Sequence, residues 1–510
     1  MEQKCLKTSV YFNDTVFNDS LEQAIDVDFS LPDFCPDISK IFKCQAEPRI
    51  ASKSINGRTI TIEGVVQITL IYCDKNGKLC SYEYQYPFSK SCEMQNECQN
   101  ANICCKARKE YINCRAVTGR KVDIHGAISI SVKVFKRKCC DIVSDFDDEA
   151  VELKRGIANA TVPMGYAEKY LLIEDEIRIG QSQPPVCNIL RYEANTCVKE
   201  TKVINDKAVV KGEMSVSIIY CAENIAQPQC VKSIIPFSQI VDVEGITDTC
   251  KCDTKSSVCS LEIKPRVSST GEAKSFSINA KVLLSCEGYC SNEVAVILDA
   301  YSRKYKAEIK KNNINFERIT HNICENFNCK KNIELENDIV SVVDIWSNVQ
   351  SANCKFEEDH MAIYGTLMVG MIVCDENDTS VFYEKPIDFE FKCPVKLELG
   401  VPHCDPKLEI ISCSYTITSS NCIEVRVEIA TNTAIYERKN IGLISDMMLD
   451  ENAPLERNRR EALKVYFAEE NDNVWDIARD NNASVDEIMQ INGLSEDTFK
   501  SRKMILIPII

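Results

Sequence analysis

One strand pattern occurs three times, and no other feature constrains the fold as strongly. The copies are centred on Gly64, Gly212 and Gly365, 148 and 153 residues apart. Counted from each glycine, positions −4, −2, +2, +4, +6 and +8 are apolar. They read Ile60, Ile62, Val66, Ile68, Leu70, Tyr72, then Ala208, Val210, Met214, Val216, Ile218, Tyr220, then Met361, Ile363, Leu367, Val369, Met371, Val373. A cysteine follows at +9 each time: Cys73, Cys221 and Cys374. Strict period two over this length predicts a long strand with one buried face. The fixed glycine predicts a bulge or a close backbone approach. The +9 cysteine falls on the face opposite the stripe, where it can meet another layer.

Other marks share this period. Pro36 lies 28 residues before the first glycine and Pro185 27 before the second, each in a proline-punctuated turn. Pro87-Phe88-Ser89, Pro236-Phe237-Ser238 and Pro386 through Phe389 follow the glycines, and predict a hairpin returning to a second strand. A later strand repeats the early one: Val122 to Val134 around Gly126, Phe276 to Leu284, and Ile423 to Ile429. Each unit is therefore expected to be two related β halves packed face to face. The fold class is mainly β: three tandem β-sandwich-like repeats forming a rigid rod, followed by a small β-α-α-β module. The expected boundaries are 1–145, 160–305 and 320–440 for the repeats, 441–462 for a linker and 463–510 for the module. The charged stretches 141–156 and 304–323 read as linkers, and 91–114 and 245–259 as irregular loops.

The formal charge of −16 over 510 residues argues against nucleic acid, which needs a basic surface. It argues weakly against anionic membranes, and no apolar run reaches the length of a membrane span. The N-terminus has no hydrophobic signal core, so retention on the cytoplasmic side is expected. The 29 cysteines then stay open to three readings. They are small apolar residues, metal ligands, or thiols that cross-link later. Zinc is poorly supported, because no Cys-x-x-Cys pair exists and His321, Cys324 and Cys329 are the nearest approach to a ligand set. Cys73 and Cys80 flank Asn76-Gly77, and a two-residue Asn-Gly hairpin sets them opposite each other. Cys221 and Cys230 do the same over a longer loop. Both are read as oxidisable pairs.

No phosphate loop, nucleophile elbow or His-Glu-x-x-His is present, and four scattered histidines leave few candidates for a base. No catalytic residue, cofactor or metal is expected.

Residues 463–510 have a different rhythm and no cysteine. Leu463 to Phe467 can form a strand, and Asn473 is a helix N-cap followed by Val474, Ile477 and Ala478. Ser484 to Glu487 is a capping box, Asn492-Gly493 a left-handed C-cap, and Met504 to Pro508 a closing strand. Trp475 sits off the apolar stripe and is expected to be partly exposed, as interface anchors often are. The module carries nine acidic and five basic residues.

On Asn471-Asp472-Asn473-Val474-Trp475-Asp476-Ile477-Ala478, Asn492-Gly493-Leu494 and Ile505 to Pro508, this module resembles LysM. The resemblance implies binding of N-acetylglucosamine-containing glycans such as peptidoglycan, in a groove between Asp472, Asn473, Val474 and Asn492, Gly493, Leu494. Asn471 stands for the family's glycine and Asn473 for its hydroxyl residue. The three β units resemble DUF3794 repeats. Three repeats plus one LysM module is similar to the SipL-type family of clostridial spore envelope (coat) morphogenesis proteins. That resemblance implies a mother-cell protein at the forespore surface. It also implies that the module binds the ATPase of the coat basement layer; Trp475, with Leu463 and Val465 nearby on the first strand, is expected to carry that contact. The alternative is a peptidoglycan-binding protein that anchors a cysteine-rich layer to the cortex.

Overall fold

The computed structural model describes residues 5–222, 225, 227–269, 271–376, 379–396, 401–455 and 462–508. Unit 1 consists of β1 (Cys5–Ser30), β2 (Lys40–Asn56), β3 (Thr59–Cys73), β4 (Leu79–Glu93), β5 (Asn102–Ala116) and β6 (Lys121–Phe146). Unit 2 repeats it with β7 (Val151–Arg178), β8 (Val186–Ile204), β9 (Lys207–Ala222), β10 (Gln229–Asp242), β11 (Lys251–Val267) and β12 (Ala273–Ser302). Unit 3 has β13 (Tyr305–Glu334), β14 (Ser341–Phe356), β15 (His360–Cys374), β16 (Ser380–Pro394), β17 (Val401–Cys404), β18 (Leu408–Ser419) and β19 (Cys422–Pro454). The C-terminal module is β20 (Leu463–Ala468), α1 (Val474–Asp480), α2 (Val485–Ile491) and β21 (Lys503–Pro508). Among the described residues no helix is long and apolar enough to cross a membrane.

Each unit is a sandwich. In unit 1 the sheet β2-β3-β4 faces the sheet β1-β6-β5. Units 2 and 3 pair β8-β9-β10 with β7-β12-β11, and β14-β15-β16 with the sheet centred on β19. All eighteen stripe residues are at or below 2% exposure, so the repeated pattern is the inner face of each central strand. Full burial of a large aliphatic side chain is worth about 1.5–3 kcal/mol. The later strands β6, β12 and β19 supply the opposing face.

The glycine and the Pro-Phe landmark are one feature. Gly64 pairs with Phe88, Gly212 with Phe237 and Gly365 with Phe389. On the other side Gly64 and Gly212 face a bulge, between Ile50 and Ser52 and between Val198 and Glu200, whereas Gly365 faces Ala352, next to the bulge between Val349 and Ser351. A Cβ on Gly64 or Gly212 would overlap the bulge carbonyl of Arg49 or Cys197 and the phenylalanine ring. On Gly365 it would overlap the Ser351 carbonyl. The stripe's tyrosine and the proline turn are likewise joined. The Tyr72 hydroxyl donates to the Pro36 carbonyl at 3.1 Å, and Tyr220 donates to Pro184 at 3.1 Å. Unit 3 lacks both partners, with Val373 in the tyrosine's place.

The units form a closed ring and not a rod. The edge of β4 lies against β8, β10 against β14, and β16 against β2. The +7 residues Ile71, Ile219 and Ile372 meet in one cluster. The bulge residues Phe42, Leu190 and Val343 join them, so the ring has a pseudo-three-fold axis. Polar pairs repeat around it. Lys232 of unit 2 meets Asp344 of unit 3 at 2.7 Å, and Glu384 of unit 3 meets Lys43 of unit 1 at 2.6 Å. Tyr192 of unit 2 donates to Glu83 of unit 1 at 3.0 Å. Two of the +9 cysteines, Cys73 and Cys221, meet another layer supplied by the sister units, while Cys374 is buried beside Ser380 of its own unit. Cys221 is 5% exposed, and its thiol donates to the Leu79 carbonyl of unit 1 at 3.7 Å.

The stretches expected to be linkers are strands. Residues 141–146 end β6, 151–156 open β7, and 305–323 belong to β13. Of the linker placed at 441–462, residues up to Pro454 continue β19, while 456–461 lie outside the described residues. These segments are paired arms running beyond each sandwich, and they bury Val10, Ile142, Ala158, Ile314 and Leu443 in a shared cluster. The expected irregular loops are also partly strand, since β5 begins at Asn102 and β11 at Lys251.

The two cysteine pairs read from the hairpins do not form. Asp74 closes on Lys78 around a three-residue loop with Gly77 at φ +79°, so Cys73 faces Leu79 while Cys80 faces Tyr72. The one-residue slip puts the two thiols on opposite faces of the sheet. Cys230 faces Ile219, not Cys221. Cys250 and Cys290 are bridged, with Cα atoms 4.6 Å apart, and the sulfurs of Cys354 and Cys404 lie side by side, with Cα atoms 6.8 Å apart; the remaining cysteines are free.

Candidate docking site on the C-terminal module

The module's fold follows from its caps. The Asn473 side chain accepts from the Trp475 amide at 2.7 Å and starts α1. Ser484 accepts from the Glu487 amide and starts α2. Gly493, at φ +57°, ends α2 in the left-handed region, where a Cβ is disfavoured. Strands β20 and β21 pair antiparallel, Leu463 with Pro508 and Phe467 with Met504. Ala468, Val474, Ile477, Ala478, Ile488, Ile505 and Ile507 fill the core at 5% exposure or less.

Trp475 is buried, at 7% exposure, which corrects the expected partial exposure. The helical wheel places it off the module's own stripe, and unit 2 covers that face. Its indole Nε1 donates to Asp299 Oδ2 at 3.1 Å, and its ring meets Tyr301 edge-on with centroids 5.1 Å apart. The Tyr301 hydroxyl donates to the Ala483 carbonyl at 2.6 Å. Arg479 Nη1 donates to the same Asp299 oxygen at 2.8 Å, and Lys311 of unit 3 binds Oδ1 at 2.8 Å. Burial alone would raise the Asp299 carboxyl, but the bonds from Lys311, Trp475 and Arg479 outweigh it and hold it down at about 2.

Leu463 and Val465, the other two expected contact residues, are 51% and 53% exposed. Alternation along β20 puts Phe467 on the same face, and its pair partner Met504 on β21 is also exposed. Four large apolar side chains thus form an open stripe on a two-stranded sheet. The sequence pattern contained this signal, since Leu463, Val465 and Phe467 alternate.

The expected glycan residues are spent on the module's own structure. Asp472 Oδ2 accepts from the Glu469 amide at 2.9 Å, and Asn473 is the N-cap. Val474 is fully buried, and its amide donates to Asp497. Asn492 donates to Ile488 and Leu506 and accepts from the Leu506 amide at 2.7 Å, tying α2 to β21. The Leu494 amide donates to Met489 at 2.9 Å. Among the described residues no group of three His, Cys, Asp or Glu side chains is placed to hold a metal; Cys324 is exposed and Cys329 buried.

Residues 37–117 and 185–265 match the family model described as SipL, SPOCS domain. These segments run from the proline turn to the end of β5 in unit 1, and to the equivalent part of β11 in unit 2. Residues 469–508 match the LysM domain. No curated protein and no solved structure matches the chain. The SipL match fits a sporulation-related protein, and the LysM match fits peptidoglycan binding. With two SipL SPOCS domains and a LysM domain at its C-terminal end, the chain has the domain composition of a SipL-type protein that carries a LysM module.

Proposed function

We propose that the chain is a structural adaptor in spore coat and envelope assembly, acting by binding and not by catalysis. In this reading the LysM module binds the ATPase of the coat basement layer, and the ring of β units carries other coat proteins, in the mother-cell cytoplasm at the forespore surface. The observation that carries it is the open stripe of Leu463, Val465, Phe467 and Met504. Exposed apolar side chains grouped on one face mark interaction sites. The contact therefore moves from Trp475 to the β20 face. Capture of the ATPase by the full chain tests this, with Leu463→Asp/Val465→Asp as the variant. Capture at the wild-type level by that variant removes the assignment.

A second reading, anchoring of the cysteine-rich ring to cortex peptidoglycan, is favoured by the LysM match. The fixed roles of Asp472, Asn473 and Asn492 weigh against it, because those side chains have few free hydrogen-bonding groups for a sugar. Sedimentation of the full chain with purified sacculi separates the two. Retention that survives Leu463→Asp/Val465→Asp supports the glycan reading.

A further inference from the structure

The ring has three equivalent corners. In each, an aspartate follows a bulge in the outgoing arm strand: Asp145 after Ser144, Asp299 after Leu298, and Asp446 after Ser445. Each binds a basic residue on the first strand of the next unit. Asp145 meets Arg155 at 2.8 Å, Asp299 meets Lys311 at 2.8 Å, and Asp446 meets Lys7 at 3.3 Å. The module occupies the Asp299 corner. Two residues past the aspartate, that corner has Tyr301, where the other two have Asp147 and Met448. Tyr301 is the residue that receives the module, through its bond to Ala483 and its edge contact with Trp475. Lys154 adds a cation 5.9 Å from the indole ring.

We propose that this corner is a latch for the LysM module, and that Trp475 is a positioning residue acting through it. The latch holds α1 against the ring and so turns the β20 stripe outward. The tryptophan itself stays out of the partner contact. The positioning role rests on the proposed function, whereas the latch stands on its own geometry. The contact uses Trp475, Arg479, Ser484 and the Ala483 carbonyl of the module, against Asp299, Tyr301, Lys154 and Glu152 of unit 2. Ten of the eleven buried residues in that cluster belong to the module, and Tyr301 is the one that unit 2 contributes.

Two variants open the latch from opposite sides without touching the Asp299–Lys311 bridge. Tyr301→Met gives the corner the residue of the Asp446 corner, and Arg479→Glu sets a second carboxylate against Asp299. Hydroxyl-radical footprinting of the full chain reads Trp475 and Trp346 separately. Trp475 labelling is expected to be slow in the wild type and to rise several-fold in both variants, with Trp346 unchanged. Equal Trp475 labelling in wild type and variants overturns the latch. Capture of the coat ATPase is expected to weaken in both variants. Open variants that capture normally overturn the positioning role. If the wild-type chain captures no ATPase while the footprint still differs, the latch stands and the adaptor reading falls.

Discussion

Removing the Lys232 cation tests ring closure directly. Lys232 crosses from unit 2 to Asp344 of unit 3, which is 4% exposed and also accepts from Ser217 at 3.5 Å. In a rod of independent units Lys232 would be a surface lysine, and Lys232→Met would change stability by less than about 0.5 kcal/mol. In the ring the substitution leaves a buried carboxylate without a countercharge. Removing one partner of a buried pair costs about 3–5 kcal/mol, and the half-exposed lysine stem places this case near the lower end, about 3 kcal/mol. Replacing both residues, as Lys232→Met/Asp344→Leu, should recover most of that loss, because no charge is then stranded. Urea denaturation followed by tryptophan emission is the assay. Trp346 stacks on Arg191 of unit 2 at 4.0 Å and lies in the central cluster, so it reports opening of the ring. A Lys232→Met protein with unchanged midpoint, or a double variant no better than the single one, would refute the closed arrangement.

The Asp299 carboxyl, held near 2, makes the latch pH-dependent in one direction. The depression is worth about 2 kcal/mol, fully present above the ordinary carboxylate range and lost as pH falls through that range toward 2; Lys311 of the ring contributes the largest part of it, and only the share from Trp475 and Arg479 belongs to the latch. Trp475 footprinting should therefore be flat from pH 7 to about 4.5, and opening within that window contradicts the assignment. Tyr72→Phe and Tyr220→Phe each strand a turn carbonyl and should cost about 1–2 kcal/mol by chemical denaturation. A change below a few tenths would show that the proline turns are held by something else. Asn492→Ala removes two bonds between α2 and β21 and one that closes the end of α2, and should lower the module's melting temperature; loss of sacculus binding without that drop would instead mark Asn492 as a glycan ligand.

Much of each sandwich was legible because its signals are local. Period-two burial of Ile60 through Tyr72 and its two counterparts follows from alternation alone. A repeated glycine in a strand needs a steric cause, here a bulge carbonyl beneath and, in the first two units, a phenylalanine ring above. The Cys73–Cys80 pairing failed on one turn residue, since a three-residue loop in place of two reverses which side chains share a face. The arms escaped notice because bulges at Ser144, Leu298 and Ser445 break the alternation and charged residues cover their outer side. The sequence also carries one long-range signal. The +7 residues Ile71, Ile219 and Ile372 are apolar on the face opposite the stripe.

The sequence by itself determined three repeated β units, their inner faces and a capped β-α-α-β module, because periodicity, caps and turns act over a few residues. Only the tertiary structure decided that the sandwiches close into a ring and that Trp475 turns inward. Those outcomes depend on single side chains from distant segments, such as Asp299 against Trp475 or Lys232 against Asp344. No local pattern records which surface will cover which.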